Sequence, residues 1–531
     1  MADPVLARQI QAMELMLVGL GLVGLALYLR LRVFIGTRPG GVDTWYYLAS
    51  AEAYRAQKRL PIRLPQYLLH DPTESYPAVF PLFLALLPPN WLRRYFWLVS
   101  PIIDAVQLLL LYLLSFRLTD SVLAAATAGL IYAVTPQLIS ETRNLNGRAF
   151  ASLLQTITML VLLRSVIPSD GPSASLIGPG GNGLWAAAVV LVAILYNTHT
   201  STTIAFLVSV ATLSVVFSEP RYVLAGLAGL PVAVVISGGY YLRVIGNHLH
   251  AARFWLRNVR YTRAHQINDS PLYGVSNGDK RSPGLYRAGL GALALRVLGE
   301  NPFILAMLVT PAPPTVWAAH MYWWAVAILV WSLLTTFGGP LRILGPGFHY
   351  MKASVFPTAY ALAVTVNVTE GALSVVGLAV VLSIILSFAA LAYFYRVMAR
   401  RETEHTAQTP PDLAEAAAYL RRLPGQRVLV LPSMYADFVA YEAHKAVLWG
   451  GHSGDLRTFE DFAPVLRKPL DFFFRQYQLD YLVLDYAYVT PARLRIEERV
   501  SLLERFGHIA VLQVLVPQPA DADAPTGSAV R

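Results

Sequence analysis

The sequence predicts a polytopic α-helical membrane protein followed by a small soluble α/β domain, and three observations carry that prediction. Charged residues occupy only 14% of the 531 positions, against roughly 25% in an average soluble domain. Hydrophobic residues supply 55% before the 36 glycines are counted, and the mean hydropathy is +0.48. The apolar residues are gathered into runs close to the roughly 17–25 residues that a bilayer-crossing helix needs, with the charge held in the breaks between them. Cysteine is absent, so there is no disulfide framework, thiol nucleophile or Cys-ligated metal site. The net charge of +10 sits in loops between apolar runs, which points to lipid head groups or phosphates as partners and away from nucleic acid.

About eleven runs qualify as spans: residues 13–29, 95–116, 122–139, 150–163, 184–196, 203–217, 222–242, 302–315, 316–337, 351–368 and 372–395. The first is not a cleaved signal peptide, because Leu31-Arg32-Val33-Phe34 follows it instead of small residues. Residues 1–400 are therefore expected to form the membrane domain, 401–412 a linker, 413–516 a soluble α/β domain and 517–531 a disordered tail rich in Ala, Pro and Asp. In the soluble domain, 427–431 and 481–485 read as buried strands, 414–422 and 497–506 as helices, and 509–516 as a last strand.

Two loops are long, 30–94 and 243–300, and each holds nine Lys or Arg. The positive-inside rule places such loops in the cytoplasm. Loops that bind an anionic ligand keep basic residues for function, however, and that consideration decides the expected orientation. The active-site loops and the C-terminal domain are assigned to the extracytoplasmic side of a plasma (inner) membrane.

The sharpest local signal is Gly40-Gly41-Val42-Asp43-Thr44-Trp45-Tyr46-Tyr47. An acid at the membrane face beside Trp45, Tyr46 and Tyr47, whose rings can stack on sugar, suits a general base. An equal reading makes Asp43 the N-cap of a helix from Thr44 to about Lys58. Glu74-Ser75-Tyr76-Pro77 follows in the same loop, and after the third span comes Ser140-Glu141-Thr142-Arg143-Asn144-Leu145-Asn146-Gly147-Arg148. That segment offers Glu141, two guanidiniums and two amides, with membrane-edge anchoring as the plainer role for either arginine.

The order of first span, loop with Asp and aromatics, Tyr-Pro-x-x-x-Pro-Leu at 76–82, paired spans and polar loop resembles the C-type glycosyltransferase superfamily (GT-C) over roughly residues 13–400. Asp43–Tyr47 is similar to the Asp-x-x-Tyr-type motif of oligosaccharyltransferase catalytic subunits. The resemblance implies a multispan enzyme moving a sugar from a polyprenyl phosphate or pyrophosphate carrier, with Asp43 as the catalytic or acceptor-side acid on a loop outside the membrane. Two departures qualify it. The loop after the third span lacks a second acidic pair, leaving Glu141 with Asn144 or Asn146 where an Asp is expected. No Trp-Trp-Asp-Tyr-Gly motif is present, and Trp449-Gly450-Gly451-His452-Ser453-Gly454 is only superficially like it. Both departures point away from peptide N-glycosylation and toward a polyprenyl monophosphate-sugar donor. No cofactor is assigned, a divalent metal stays open, and the acceptor is an unspecified glycan, lipid or protein.

Donor-phosphate ligands are sought among the basic groups. Arg253, Arg257 and Arg260 recur at helical spacing, which suits a phosphate clamp or an interfacial helix on anionic lipid. Gly345-Pro346-Gly347-Phe348-His349-Tyr350-Met351-Lys352 opens the tenth span and resembles an Arg-Tyr segment of C-type transferases, with His349 in the Arg position. A lysine entering an apolar helix is costly unless it snorkels or meets an anion, so Lys352 is a phosphate ligand candidate, assisted by Arg342. His199, in the polar turn Asn197–Thr203, is a structural residue or a ligand. Asp43, Trp45, Tyr46, Tyr47, Glu74, Glu141, Arg143, Asn146 and these groups form the candidate site, with no metal ligand assigned. His444, His452 and Asp455 read as loop residues at a surface of the C-terminal domain.

The activity this implies is an inverting hexosyl or pentosyl transfer from a lipid phosphate. Phosphate is already a good leaving group, so no general acid is required, whereas a glycoside hydrolase needs two carboxyls flanking one bond. Two alternatives remain: oligosaccharyltransferase-type protein glycosylation, and a transporter or flippase for a lipid-linked anion, which calls for broken helices and midplane charges.

Overall fold

The computed structural model describes residues 4–35, 39–69, 74–167, 181–261, 264–274, 290–310, 313–369, 374–403, 410–450 and 459–515. The chain divides into two compact units. The first comprises residues 1–63, 73–262 and 282–407, and the second 64–72, 263–281 and 408–531. The expected linker between 401 and 412 falls largely outside the described residues, and so does the tail from 517.

Among the described residues of the first unit, five helices are long and apolar enough to cross a membrane. They are α1 (Pro4–Leu31), α4 (Pro89–Thr119), α7 (Gly147–Val166), α14 (Val316–Phe337) and α16 (Val375–Thr403). Between them lie α2 (Val42–Gln57), α3 (Val79–Leu86), α5 (Val122–Val134), α6 (Pro136–Glu141), α8 (Asn182–Tyr196), α9 (Thr200–Val216), α10 (Arg221–Ile236), α11 (Tyr240–Arg257), α12 (Leu290–Glu300), α13 (Phe303–Leu308) and α15 (Lys352–Val368).

Three expected spans are altered. The run 122–139 is cut by Pro136, which cannot donate to the helix ladder and instead opens α6. The 222–242 run breaks at Gly238 and Gly239, both with positive φ (58° and 83°), and α11 leaves α10 at 118°. Among its described residues the 302–315 run holds the six-residue α13, roughly 9 Å long and far short of a ~30 Å hydrocarbon core.

Helix α15 is the centre of the bundle. It is buried at Lys352 and from Ser354 to Val366 and packs on α5, α13, α14 and α16. A helix apolar on every face has no solvent side and must be enclosed by others. On one flank, α1, α4 and α5 are joined by a fully buried ion pair, Arg30 Nε to Asp104 Oδ2 at 2.5 Å, with both side chains 0% exposed. Arg30 Nη1 also donates to the Ala26 and Ala133 carbonyls (3.1 Å each), and Tyr132 Oη donates to Asp104 Oδ1 at 3.0 Å.

The second unit carries a five-stranded sheet of order β2-β1-β3-β5-β4, built from β1 (Arg427–Leu431), β2 (Ala446–Val447), β3 (Tyr481–Asp485), β4 (Val500–Phe506) and β5 (Ile509–Val514). β1 runs parallel to β2 and β3, while β5 is antiparallel to β3 and β4. Its helices are α17 (Pro411–Arg422), α18 (Ala436–Ala443), α19 (Leu470–Gln476) and α20 (Pro491–Leu494). The helix expected over 497–506 is instead one 3-10 turn followed by β4. Gly507 (φ +53°) closes a tight hairpin into β5, and a Cβ there would overlap the Asp412 carboxylate, so only glycine fits.

Segments of both long loops complete this unit. Residues 66–69 add to the sheet edge, with Leu68 N donating to Val447 O and Leu69 N to Leu448 O. Gln266 Nε2 donates to Phe462 O and Ser270 Oγ to Leu466 O. Trp449 stacks on Phe459 at 4.6 Å. His444 ends α18 in the left-handed region, and His452 and Asp455 lie outside the described residues.

The Arg30–Asp104 pair gives a stability test. Asp104→Ala strands a buried guanidinium and is expected to cost about 3–5 kcal/mol. Arg30→Met/Asp104→Leu, which removes both charges, should recover most of it. Thermal unfolding of detergent-solubilised protein reads both, and equal losses in the single and double variants would contradict the assignment.

Candidate active site

The start of α2 is set by contact with the loop between α6 and α7. Gly41 is the N-cap, with φ +132°, and a Cβ there would lie 2.5 Å from the Asn144 amide. Thr44 Oγ1 accepts from Leu145 N at 3.2 Å. Asp43 is thereby held half-buried in the first turn of α2. It is not the N-cap, so the capping reading is corrected: the helix begins one residue before it. A carboxylate at that position is favoured by the unpaired N–H groups and the helix dipole. Electrostatically it acts on Arg148, Tyr47 and Tyr76.

The aromatics after Asp43 are packed in protein. Trp45, Tyr46 and Tyr47 are buried, with Trp45 against Phe96, Tyr46 edge-on to Tyr76 and Tyr47 edge-on to Phe80. The Tyr47 and Tyr76 hydroxyls lie 3.5 Å apart. Burial, then Tyr76 and Asp43, keep the Tyr47 phenol neutral far above its ordinary range. Burial likewise pushes Tyr76 up to about 12. Buried Glu74 folds back on its own turn, its Oε1 accepting from the backbone N–H groups of Ser75 and Tyr76.

Glu141, at the end of α6, is the hub. Arg148 Nη1 donates to both of its carboxylate oxygens at 3.1 Å, Gln137 Nε2 donates to Oε1 at 3.3 Å, and His349 Nδ1 lies 3.3 Å from Oε1. Burial alone would raise this acid, but Arg148, His349 and Lys352 outweigh it and hold the carboxyl well below its usual range. Asn146 caps α7: its Oδ1 accepts from Arg148 N at 2.9 Å and its Nδ2 donates to Glu141 O at 2.9 Å. Arg143 Nη1 donates to Met398 Sδ at 3.0 Å.

Beside the hub lies a cavity of about 20 Å³ lined by Arg148, Ser152, Gln155, Ser201, Thr202, His349 and Lys352. Lys352 is the first residue of α15 and only 6% exposed. Its Nζ and the Nε2 of Gln155 are buried without a hydrogen-bond partner among the described residues. Ser201 and Thr202 belong to the first turn of α9, whose N-cap is His199, so the free N–H groups of a 17-residue helix begin at this cavity. The His199 ring bonds within that turn, to Ser201 Oγ (3.1 Å) and Thr202 Oγ1 (3.3 Å).

The remaining candidates are elsewhere. Arg342 donates to Thr336 O and does not line the cavity. Arg253 and Arg257 are exposed near the end of α11. Arg260 falls beyond it, in the 3-10 turn Val259–Tyr261, so the three arginines do not share one helix face. Among the described residues no group of three His, Asp or Glu is placed to hold a metal ion.

Sequence reasoning passed over Arg148 as a ligand and missed Ser152, Gln155 and Glu300. Arg148, Ser152 and Gln155 stand at i, i+4 and i+7, a polar stripe on an apolar helix that was available as a signal. Glu300 had no such mark: burial raises it to about 7, with Arg296 opposing and Glu141 adding to the rise.

This architecture has relatives among solved structures. The Archaeoglobus fulgidus oligosaccharyltransferase in the apo form superposes with a TM-score of 0.55 at 13% identity, covering 91% of this chain and 71% of its own. The archaeal oligosaccharyltransferase AglB from Archaeoglobus fulgidus in complex with an inhibitory peptide and a dolichol-phosphate gives 0.53 at 13%, covering 92% and 71%. ArnT from Cupriavidus metallidurans bound to undecaprenyl phosphate gives 0.55 at 15%, covering 94% and 99%. These neighbours are C-type glycosyltransferases. The chain has the C-type fold. No family sequence profile and no curated protein sequence matches it, so at this identity the likeness is one of fold alone.

The Glu300 carboxyl gives a pH test of the candidate site. Its pKa is raised to about 7, so it is neutral below that pH and adds negative charge beside Glu141 above it. Anion affinity should be fullest below pH ~7 and fall as the group ionises. A titration of a lipid phosphate should show that fall, and Glu300→Gln should flatten it. A wild-type profile that is already flat would remove Glu300 from the site.

Proposed function

We propose that the chain is a membrane glycosyltransferase that moves a sugar from a polyprenyl-phosphate carrier to an acceptor on the outer face of the membrane. The observation that carries this reading is the buried Lys352 ammonium, without a hydrogen-bond partner among the described residues, in a cavity shared with Arg148, Gln155 and the N-terminus of α9. An ammonium withdrawn from water costs several kcal/mol unless an anion meets it (about that order in proteins). Among the described residues, the polar groups left unpaired at this cavity, Lys352 Nζ and Gln155 Nε2, are both donors, which suits phosphate oxygens. Solved relatives of the same fold hold a dolichol-phosphate and undecaprenyl phosphate.

In this reading Asp43 takes the proton of an acceptor hydroxyl as its oxygen attacks the anomeric carbon, inverting it. The carrier phosphate leaves with the bonding pair toward Lys352 and Arg148. Glu141 holds Arg148 and His349 in place and is itself too strongly paired to serve as base. Arg253 and Arg257, exposed on α11, are assigned to the bilayer interface.

Turnover of a radiolabelled polyprenyl-phosphate sugar by the purified protein tests the reaction itself, and translocation of that lipid without cleavage would favour a flippase. Asp43→Asn preserves size and polarity yet cannot accept a proton, so transfer should fall about 10²–10⁴-fold with donor binding intact. Retention of more than about a tenth of turnover would move the base to another carboxylate.

Lys352→Met should instead raise the donor KM at least about tenfold, as expected for loss of a charge-assisted contact worth roughly 1.5–3 kcal/mol. An unchanged KM would dissociate the cavity from the donor.

A further inference from the structure

A second cavity, of about 850 Å³, lies between α1 and α16. That is in the upper part of the range of small-molecule and cofactor sites, roughly 300–1,000 Å³. Its walls are apolar at Leu25, Leu29 and Val33 on α1 and the turn after it, and at Phe388, Leu391 and Ala392 on α16. These two helices are the least buried of the five long ones, with 17% and 33% of their apolar windows enclosed by protein, so the groove opens sideways onto the hydrocarbon.

One end of the groove is basic. Arg32 and Arg396 both line it and both are exposed, while no acid lines it among the described residues. The Arg32 guanidinium is held in place over the Tyr395 ring at 5.1 Å and bonds to the Tyr28 hydroxyl at 3.3 Å. Tyr395 is anchored in turn by its hydroxyl, which donates to Leu29 O at 2.5 Å. Met398, on the same wall, is touched from behind by Arg143 of the Glu141 loop.

An apolar trough with two guanidiniums at its mouth complements an amphiphile with hydrocarbon tails and an anionic head. We propose that this groove binds an anionic phospholipid of the bilayer, its phosphodiester at Arg32 and Arg396 and its acyl chains along α1 and α16. A bilayer lipid fits better than the polyprenyl carrier, because the enclosed donors for a carrier phosphate are at Lys352, whereas Arg32 and Arg396 are exposed. The site is independent of glycosyl transfer and joins the first and last long helices of the unit.

Native mass spectrometry of the full-length protein in detergent, titrated with phosphatidylglycerol and with phosphatidylcholine, tests this. The wild type should retain phosphatidylglycerol about tenfold more tightly, since each arginine near the head group adds attraction for anionic lipid. Arg32→Gln/Arg396→Gln should lower it to the phosphatidylcholine level. Equal retention of the two lipids by the wild type would overturn the proposal without recourse to any variant, as would a preference that survives the double substitution. Displacement of phosphatidylglycerol by an equimolar amount of polyprenyl phosphate in Lys352→Met would also overturn it, making the groove a carrier site.

Discussion

The Glu141–Arg148 ion pair is the constraint around which the candidate site is organised. A carboxylate enclosed in an apolar bundle is tolerated only when its charge is met and its lone pairs are satisfied. Here a guanidinium reaches both oxygens while Gln137 and His349 approach one of them. Meeting that demand ties α6 to the first turn of α7 and to the turn 347–349 that precedes α15. Asn146 closes the same loop by capping α7 while donating to the Glu141 carbonyl. Asp43 inherits its position from this arrangement, because Gly41 and Thr44 rest on Asn144 and Leu145.

Charge inside the membrane unit is otherwise handled by two contrasting solutions. Arg30 and Asp104 are fully buried and answer one another, with Tyr132 and two carbonyls taking further hydrogen bonds. That pair stabilises one arrangement of α1, α4 and α5. Lys352 is also buried, yet its ammonium has no hydrogen-bond partner among the described residues. Asp104 and Glu141 act on it electrostatically, and a buried ionisable group of this kind inside a membrane protein is the basis of the ligand role proposed for it. In the proposed reading the first charge is structural and the second receives the carrier phosphate.

Much of the membrane unit was legible in one dimension. Eight of the eleven apolar runs each fall on a single helix, because burial in lipid imposes a long apolar stretch that any hydropathy reading detects. Breaks were harder to read, since Pro136 and the Gly238-Gly239 pair interrupt runs whose hydropathy alone is continuous. In the second unit the strands β1 and β3 stood out as short apolar runs, but Glu497–Phe506 read as a helix. Its alternate-residue burial needed β5 beside it and the turn at Gly507 to become visible.

The sequence by itself determined the class of the fold, the apolar bundle with a small α/β unit, and singled out Asp43, Glu141, His349 and Lys352 as candidate site residues, Lys352 because an ammonium is costly in an apolar helix. Composition and periodicity carry the fold class because they report what each segment must hide, while His349 was marked by resemblance to C-type transferases. Tertiary structure alone decided which of those groups meet. Glu141 and His349 are 208 positions apart yet 3.3 Å apart in space, and that contact, the cavity at Lys352 and the placing of Arg342 away from it follow from helix packing. No local signal encodes such contacts, because the free energy that selects them comes from burying several distant charges together.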